Sequence, residues 1–261
     1  MAMLTLLEKL YGLDEEDSEK VLNENLAKLT SGIDAEAKII GKNERKWIQV
    51  KVSGADAKVV TNYLGSRFGS APSFTDIHTP IVLKGKIIDA GKVGYGIYID
   101  IGTSNSNPID VLIPLHKLRT HLVDGKKLPL REIVEAFCLH DNFPVSIRLT
   151  EIDIEEEKMW AEPSDGQVEL FKKWLSSYLD RVIVLGAHYE RITAAVRRSG
   201  AKNDIVKIEE LGFLEYSLLC KLGTDAPGMI KILGSYLPKV LLYVFSPRKV
   251  NNIIVGTLFP N

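Results

Sequence analysis

The central part of the sequence holds a run of glycines and tyrosines whose spacing suits the binding of nucleic-acid bases. Gly94, Tyr95, Gly96 and Tyr98 lie within five positions. On the face of a small β-barrel, exposed rings stack against bases, and each contact contributes roughly 1–3 kcal/mol. The two tyrosines are three residues apart, so strict strand alternation would place them on opposite faces. A glycine-assisted bulge would bring both rings to one surface. We therefore expect Tyr95 and Tyr98 to form one base-stacking surface.

Basic side chains around this run are candidates for holding phosphates. The candidates are Lys84, Lys86, Lys92, His116, Lys117, Arg119 and Lys158. The densest basic segment is 116–131, in which Asp124 is the one acidic residue. We expect this segment to be a loop of a barrel, where such domains bind their ligands. The alternative interpretation is a solvated loop without a ligand.

A second group of basic residues lies in the predicted helix 188–199 and just after it. Arg191 and Arg198 are seven positions apart and share one helix face, with Arg197 beside them and Lys202 following. A basic helix face can follow a phosphate backbone. An ordinary solvated face is the alternative.

A turn before the last predicted helix has the composition of a ligand-binding helix start. Thr224 or Asp225 can cap the helix, Pro227 suits its first turn, and Gly228 would let an anion or small ligand approach. The Asp-x-Pro-Gly order resembles the amino-acid-binding ACT modules. Helix-start chemistry alone is the alternative explanation.

Several classes of function lack their motifs in this sequence. The five histidines have no metal-ligand spacing, and Cys138 and Cys220 stand alone among apolar neighbours. No nucleophile elbow, zinc-protease motif, P-loop or dinucleotide fingerprint is present. We therefore expect a non-catalytic protein without metal or cofactor. Since no apolar run is long enough to span a bilayer, we expect a cytoplasmic location and no membrane partner.

Three modules are expected to position these residues in an α+β protein. Residues 1–75 predict an N-terminal α/β module of the order strand, helix, strand, strand, helix. Residues 76–163 predict an OB-type barrel with strands at 81–89, 94–102, 109–114, 145–152 and 158–162 and a helix at 130–138. Residues 164–261 predict a helix, a ferredoxin-like βαββαβ module and a tail from 248 onward. Residues 70–80 form a linker, and the similar order of the two outer modules suggests an internal repeat.

The central segment resembles the OB domain of the ribosomal-protein-S-one type over residues 81–162. The glycine–aromatic run 94–98, the stretch 111–118 and Ile152-Asp153 followed by Lys158 carry the resemblance. It implies an RNA surface formed by Tyr95, Tyr98, Asp153 and Lys158. Pro114 stands where that family has a histidine, and His116 is displaced from this position by two residues.

Nearly the whole chain resembles an archaeal family of unknown function, number 2110. The segments 191–198, 204–206, 210–215 and 223–228 carry the C-terminal resemblance, and Trp47 with the turn 54–56 carries the N-terminal one. The resemblance implies an archaeal source and supplies no activity.

These observations favour a non-catalytic RNA-binding protein of translation, ribosome or RNA-processing complexes, with RNA or a ribonucleoprotein as its partner. The formal net charge of −1 requires that RNA contacts come from local patches. One alternative is a protein-interaction adaptor of a transcription or translation complex. The other is a ligand-sensing regulator similar to ACT modules, which would use the turn 224–228.

Overall fold

The computed structural model describes residues 2–12, 14–73, 76–103, 109–153 and 155–255. Its N-terminal module is a three-stranded antiparallel sheet packed against two helices. The elements are β1 (Ala2–Lys9), α1 (Glu15–Leu29), β2 (Glu36–Lys42), β3 (Trp47–Ser53) and α2 (Ala57–Phe68). Leu22, Leu26 and Leu64 are fully buried because helical spacing turns each toward the sheet.

The central module is a closed five-stranded barrel. Its elements are β4 (Ile81–Ile88), β5 (Gly96–Asp100), β6 (Val111–Pro114), α3 (Leu115–Leu122), α4 (Leu130–Phe137), β7 (Pro144–Asp153) and β8 (Lys158–Pro163). The strand order is β4-β5-β6-β8-β7, and β4 pairs with β7 to close the barrel. The pair β6–β8 is parallel, whereas the other pairs are antiparallel. The predicted OB-type barrel is therefore confirmed.

The segment 116–131 differs from the predicted loop. The helix α3 begins directly after β6 and buries Leu118 and Leu122 against the barrel. A turn then leads into α4. Apolar residues at positions 115, 118 and 122 have helical spacing, which the high density of basic residues obscured. His116, Lys117, Arg119 and His121 therefore project from α3 and Arg131 from α4, whereas Lys126 and Lys127 lie in the turn between these helices.

The C-terminal module is a four-stranded antiparallel sheet of ferredoxin-like topology. Its elements are α5 (Asp165–Ser176), β9 (Arg181–Leu185), α6 (Tyr189–Arg198), a 3₁₀ turn (Ala201–Asn203), β10 (Ile205–Glu210), β11 (Glu215–Cys220), α7 (Ala226–Gly234), β12 (Leu241–Phe245) and α8 (Pro247–Val255). The strand order is β10-β11-β9-β12. This arrangement confirms the predicted βαββαβ unit.

The predicted tail forms α8 over its first part. This helix buries Pro247 and Val250 and packs against α4 and α5. Residues 256–261 lie outside the described residues, as do 104–108 of the predicted polar loop and 74–75 of the predicted linker. The chain after β12 is thus docked on α4 of the barrel module and on α5 through residue 255.

The two outer modules share their sheet order, as an internal repeat requires. The order β1-β3-β2 corresponds to β9-β11-β10. In the N-terminal module, the place of the fourth strand is taken by a short stretch beside β1. There Leu7 N donates to Gly69 O at 3.1 Å, and Ala71 N donates to Thr5 O at 2.9 Å. The N-terminal module is a ferredoxin-like unit with a shortened last strand.

A buried ion-pair cluster joins all three modules and corrects the prediction for Lys86. This side chain is 1% exposed. Its ammonium lies 3.1 Å from Glu8 of β1 and 2.7 Å from Glu215 of β11. Lys86 lies on the outside of the barrel strand, but the outer modules cover that outside, so it cannot contact a phosphate at the surface. A second link joins Lys9 to Asp100 at 2.7 Å.

Candidate nucleic-acid interface

The two tyrosines of the glycine-rich run meet on the outer surface of the barrel. Tyr98 points outward from β5, and Tyr95 stands immediately before the strand begins at Gly96. Their hydroxyls are 2.9 Å apart, and their ring centroids are 6.4 Å apart with nearly perpendicular planes. Strand alternation does not constrain Tyr95 because it precedes β5. Tyr95 is 55% exposed, which leaves its ring accessible to a base.

Gly96 makes this arrangement sterically possible. A Cβ at this position would lie 2.4 Å from Ile113 O and 2.8 Å from Leu112 Cδ1. Only glycine therefore lets β5 approach β6 this closely. The backbone carbonyl of Tyr95 also accepts a 2.7 Å hydrogen bond from Leu115 N, which fixes the run to the start of α3.

An apolar row continues from the tyrosines across two further strands. Tyr98 pairs with Leu112 of β6, and Leu112 pairs with Trp160 of β8. All three side chains are partly exposed. Directly paired residues of neighbouring strands lie side by side on one face of the sheet, so these three side chains form one row. We call Tyr95, Tyr98, Leu112 and Trp160 the aromatic strip.

Sequence reasoning missed Trp160, although the sequence carried a signal for it. In β8, Met159 and Ala161 are buried, whereas Trp160 between them faces outward. The apolar Met159 and Ala161 on either side of Trp160 follow strand alternation, which could have identified Trp160 as a third ring on the outer face of the barrel.

A groove lined by cations borders the aromatic strip. It has a volume of about 550 Å³ and lies between the β4–β5 turn and the segment joining α3 to α4. We call it the basic groove; its charged lining residues are Lys92, Arg119, Lys127 and Arg131. No acidic residue lines it among the residues that the structure describes. Gly94 and Leu115 also line the groove. Gly94 directly precedes Tyr95 in the chain, and Leu115 N donates a hydrogen bond to Tyr95 O, so the groove adjoins Tyr95.

The groove cations remain available to an anion. Lys92 lies 2.6 Å from Asp89, and the Arg131 Nε lies 2.8 Å from Glu135, but both pairs are solvent-exposed. Exposed ion pairs of this kind contribute about 0–1 kcal/mol, so a phosphate can compete for the cation. Sequence reasoning placed Lys127 and Arg131 in the basic segment without assigning them to the site.

The remaining basic residues of α3 lie at the edge of this surface. Lys117 Nζ lies 2.8 Å from Glu162, and His121 Nε2 lies 3.3 Å from the same carboxylate. The hydrogen bond from Lys117 lowers the pKa of Glu162 below its usual range. Arg119 donates from Nε to the Leu128 carbonyl at 2.8 Å, which fixes its direction. His116, the remaining basic residue of α3, is exposed.

Asp153 ends β7 and Lys158 begins β8, and the two residues pair across the turn at the other end of the strip. Asp153 Oδ1 accepts a 2.9 Å hydrogen bond from Glu156 N, and Lys158 is paired with the Glu156 carboxylate. Lys158 lies two residues before Trp160 in β8 and therefore faces the same side. Asp153 thus stabilises a turn, whereas Lys158 borders the aromatic strip.

Lys84 is exposed but is not part of this surface. It lines a separate cleft of about 430 Å³ in which residues of all three modules meet. The structure therefore brings Tyr95, Tyr98, Lys92 and Arg119 together and places Lys84 elsewhere.

The second predicted basic face is divided among different contacts. Arg191 pairs with Asp14 of the N-terminal module at 2.5 Å. The Arg198 guanidinium lies 5.6 Å from the centre of the Tyr236 ring. Arg197 and Lys202 line a groove of about 420 Å³ between α6 and β10. Arg191 is thus a structural link, so the four residues do not form one phosphate-binding face.

The turn before α7 also differs from the prediction. A Cβ at Gly228 would lie 2.6 Å from Asp225 Oδ2. The space that glycine provides is therefore filled by the carboxylate of the same turn, which would repel an anion. Thr224 donates its backbone N–H to Lys221 O at 3.0 Å. The turn is explained by helix-start packing.

No group of three or more His, Cys, Asp or Glu side chains in the described part of the chain is arranged to hold a metal ion. None of the described helices has the length and apolar character to cross a membrane.

Three of the solved structures that match parts of this chain are the following. An uncharacterised protein from Methanocaldococcus jannaschii is 14% identical, with 34% of this chain and 96% of that chain covered and a TM-score of 0.24. A chain of the a/eIF2alpha-aDim2p-rRNA complex from Pyrococcus horikoshii is 8% identical, with 48% and 64% covered and a TM-score of 0.26. The intact alpha subunit of aIF2 from Pyrococcus abyssi is 9% identical, with 64% and 96% covered and a TM-score of 0.25.

Family models account for most of the chain. No curated protein matches it. The DUF2110 N-terminal domain matches residues 3–73, the DUF2110 central domain matches residues 79–175, and the DUF2110 C-terminal domain matches residues 179–245. With all three domains present in order, the chain belongs to the DUF2110 family.

Proposed function

We propose that this protein binds single-stranded RNA on the outer surface of its central barrel. The observation that carries the proposal is the position of the aromatic strip directly beside the basic groove. Rings supply stacking for unpaired bases, and the groove supplies cations for the phosphates that follow them. The two kinds of contact must alternate along a nucleic-acid strand, and this surface offers them side by side.

The geometry favours a single strand over a duplex. Tyr95 and Trp160 could stack only on bases whose faces are free, and bases in a helix are already stacked. The strip crosses three adjacent strands, β5, β6 and β8, so it has room for more than one base. OB-type barrels bind oligonucleotides on the face of their second and third strands, which are β5 and β6 in this barrel.

The charge distribution implies weak binding by the isolated protein. The formal net charge is −1, so attraction depends on the basic groove alone. We therefore propose that the protein acts without catalysis, inside a ribonucleoprotein complex of translation or RNA processing, where other contacts add to its affinity.

Fluorescence anisotropy of labelled single-stranded RNA tests the proposal. We expect binding at low salt that weakens as salt rises, with a log–log slope of about −0.7 for each phosphate contacted. The double variant Tyr95→Ala/Tyr98→Ala should lose about fivefold or more in affinity while unfolding at the wild-type temperature. The matched control is Tyr178→Ala, which removes a ring that is 74% exposed and outside the strip. Equal RNA affinity in the double variant and the control would refute the site.

A further inference from the structure

A groove of about 420 Å³ follows one edge of the C-terminal sheet, between α6 and β10. The sheet order β10-β11-β9-β12 makes β10 an edge strand, because β11 alone pairs with it in the part of the chain that the structure describes. An edge strand presents backbone N–H and C=O groups that have no partner strand. We call the groove the edge groove; its described lining residues all differ from those of the aromatic strip and the basic groove.

The register of β10 shows which of its backbone groups point to the open edge. Leu211 N donates to Glu215 O at 2.9 Å, so the backbone of Leu211 points toward β11. Because backbone groups alternate between the two sides of a strand, those of Ile208 and Glu210 point to the open edge. The stretch 207–210 pairs with β11 in regular register, so its outer side has the geometry to accept a further strand.

The corresponding edge of the N-terminal module is closed by its own helix. In the internal repeat, β2 corresponds to β10 and α1 corresponds to α6. There α1 packs on β2, and Asn23 Oδ1 of α1 accepts a 3.2 Å hydrogen bond from Ile39 N of β2. In the C-terminal module, the edge groove separates the two corresponding elements. The same architecture thus occupies one edge internally and leaves the other open to a partner.

Apolar side chains form the floor of the edge groove. They are Ala194, Val196, Ile205, Val206 and Ile208. Val206 is 61% exposed, so apolar surface is available to a partner. No described lining residue is aromatic, so RNA bases would find no stacking platform here. An apolar floor beside an open backbone edge suits an extended peptide, whose alternate side chains enter the groove while its backbone pairs with the strand.

Three cations line the edge groove: Arg197, Lys202 and Lys207. Arg197 and Lys202 are exposed and form no ion pair with a carboxylate in the described part of the chain. Lys207 lies 3.2 Å from Glu209, but Lys207 is mostly exposed and Glu209 is also paired with the buried Arg181. Such an exposed pair is weak, so all three cations can attract acidic side chains.

Carboxylates at the groove do not cancel these cations. Glu190 is the one acidic residue among the described lining residues, and its carboxylate lies 3.0 Å from His188 Nδ1. Glu210, at the far end of β10, lies 2.7 Å from Arg67. With three cations against one carboxylate that already has a partner, the groove carries a positive charge that complements an acidic ligand.

We propose that the edge groove binds an extended acidic peptide segment of a protein partner. The peptide adds to β10 as a further strand along 207–210, its apolar side chains pack on Val206, and its carboxylates contact Arg197 and Lys202. The bulge at Val206 and the edge charge of Lys207 disfavour pairing between two copies of β10. A foreign peptide therefore fits this edge better than a second copy. The proposal goes beyond RNA binding and does not depend on the barrel surface.

Fluorescence anisotropy of the full chain with a labelled nine-residue peptide tests this site. The peptide alternates valine and threonine at its centre and carries two glutamates at each end. We expect binding that weakens as salt rises. A peptide with lysine in place of glutamate should bind about tenfold more weakly or less. A peptide with two adjacent central prolines should also bind more weakly, since proline has no N–H to donate to β10.

The variant Arg197→Glu/Lys202→Glu should weaken binding of the acidic peptide about tenfold or more at an unchanged unfolding temperature. The matched control is Arg248→Glu/Lys249→Glu, which makes the same change in net charge at two exposed residues of α8. The control should bind as the wild type does. Equal losses in the two double variants would overturn the proposal, because they would show an effect of net charge rather than of the groove.

Three other results would also overturn the proposal. The first is absence of acidic-peptide binding at low salt. The second is displacement of the peptide by single-stranded RNA in the barrel variant Tyr95→Ala/Tyr98→Ala, which would show a general polyanion site. The third is a dimer in sedimentation that Arg197→Glu/Lys202→Glu dissociates, which would assign the edge to a second copy. Loss of RNA binding in the barrel variant would affect none of these results.

Discussion

The buried cluster at the junction of the modules makes stability depend on pH in a specific direction. One ammonium, Lys86, serves two carboxylates, Glu8 and Glu215, inside the protein. Burial raises the pKa of Glu8 from 4.5 to about 7, and the neighbouring Glu215 adds to this effect, while Lys86 opposes it. A proton on Glu8 balances the charge of the cluster.

The sign and size of the effect follow from this shift. A carboxyl whose pKa is higher in the folded state binds its proton more tightly there, so the folded state is favoured at low pH. This stabilisation is fully present below pH 4.5 and is lost as pH rises to about 7. With 1.36 kcal/mol for each pH unit, the loss is about 3 kcal/mol.

The variant Glu8→Gln tests this reasoning because it imitates the protonated side chain at every pH. The unfolding free energy of the variant minus that of the wild type, measured with urea, should rise by up to about 3 kcal/mol from pH 5 to pH 8. The exposed substitution Glu155→Gln serves as the control and should follow the wild type. If the difference in unfolding free energy between Glu8→Gln and the wild type is the same at both pH values, the raised pKa assigned to Glu8 is refuted.

Three further predictions concern packing and the strip. Lys86→Met should destabilise the protein by about 3–5 kcal/mol in urea unfolding at pH 8, because it leaves Glu8 and Glu215 buried without a counter-charge; an unchanged midpoint would contradict the cluster. Trp160→Leu should lower RNA affinity about fivefold or more in anisotropy at unchanged thermal stability, since only stacking is lost. Gly96→Ala should lower the unfolding free energy by about 1–3 kcal/mol or more through the close contact with β6, and wild-type stability would contradict that contact.

Local patterns were sufficient for the architecture. Alternation in residues 145–152 predicted β7, and turn residues around five short apolar runs predicted the barrel. Each of these signals depends only on residues close together in the sequence, within a single module. The helix α3 was missed because its apolar spacing at 115, 118 and 122 is interrupted by basic residues that are equally typical of a loop.

The site was harder to predict because it depends on contacts between distant residues. Trp160 meets the tyrosines only through strand pairing across β6, which no short window contains. Lys86 alternates like a surface residue of an isolated barrel, and only the outer modules bury it. Gly228 has the composition of a ligand turn, but the side chain of Asp225 occupies its space.

Ultraviolet crosslinking of bound single-stranded RNA, followed by mass spectrometry of the attached peptides, tests the central claim most directly. The account predicts crosslinks at Tyr95, Tyr98 and Trp160, which decrease when unlabelled RNA competes. Crosslinks confined to residues outside the barrel, or none under conditions that crosslink a known single-strand-binding protein, would contradict it.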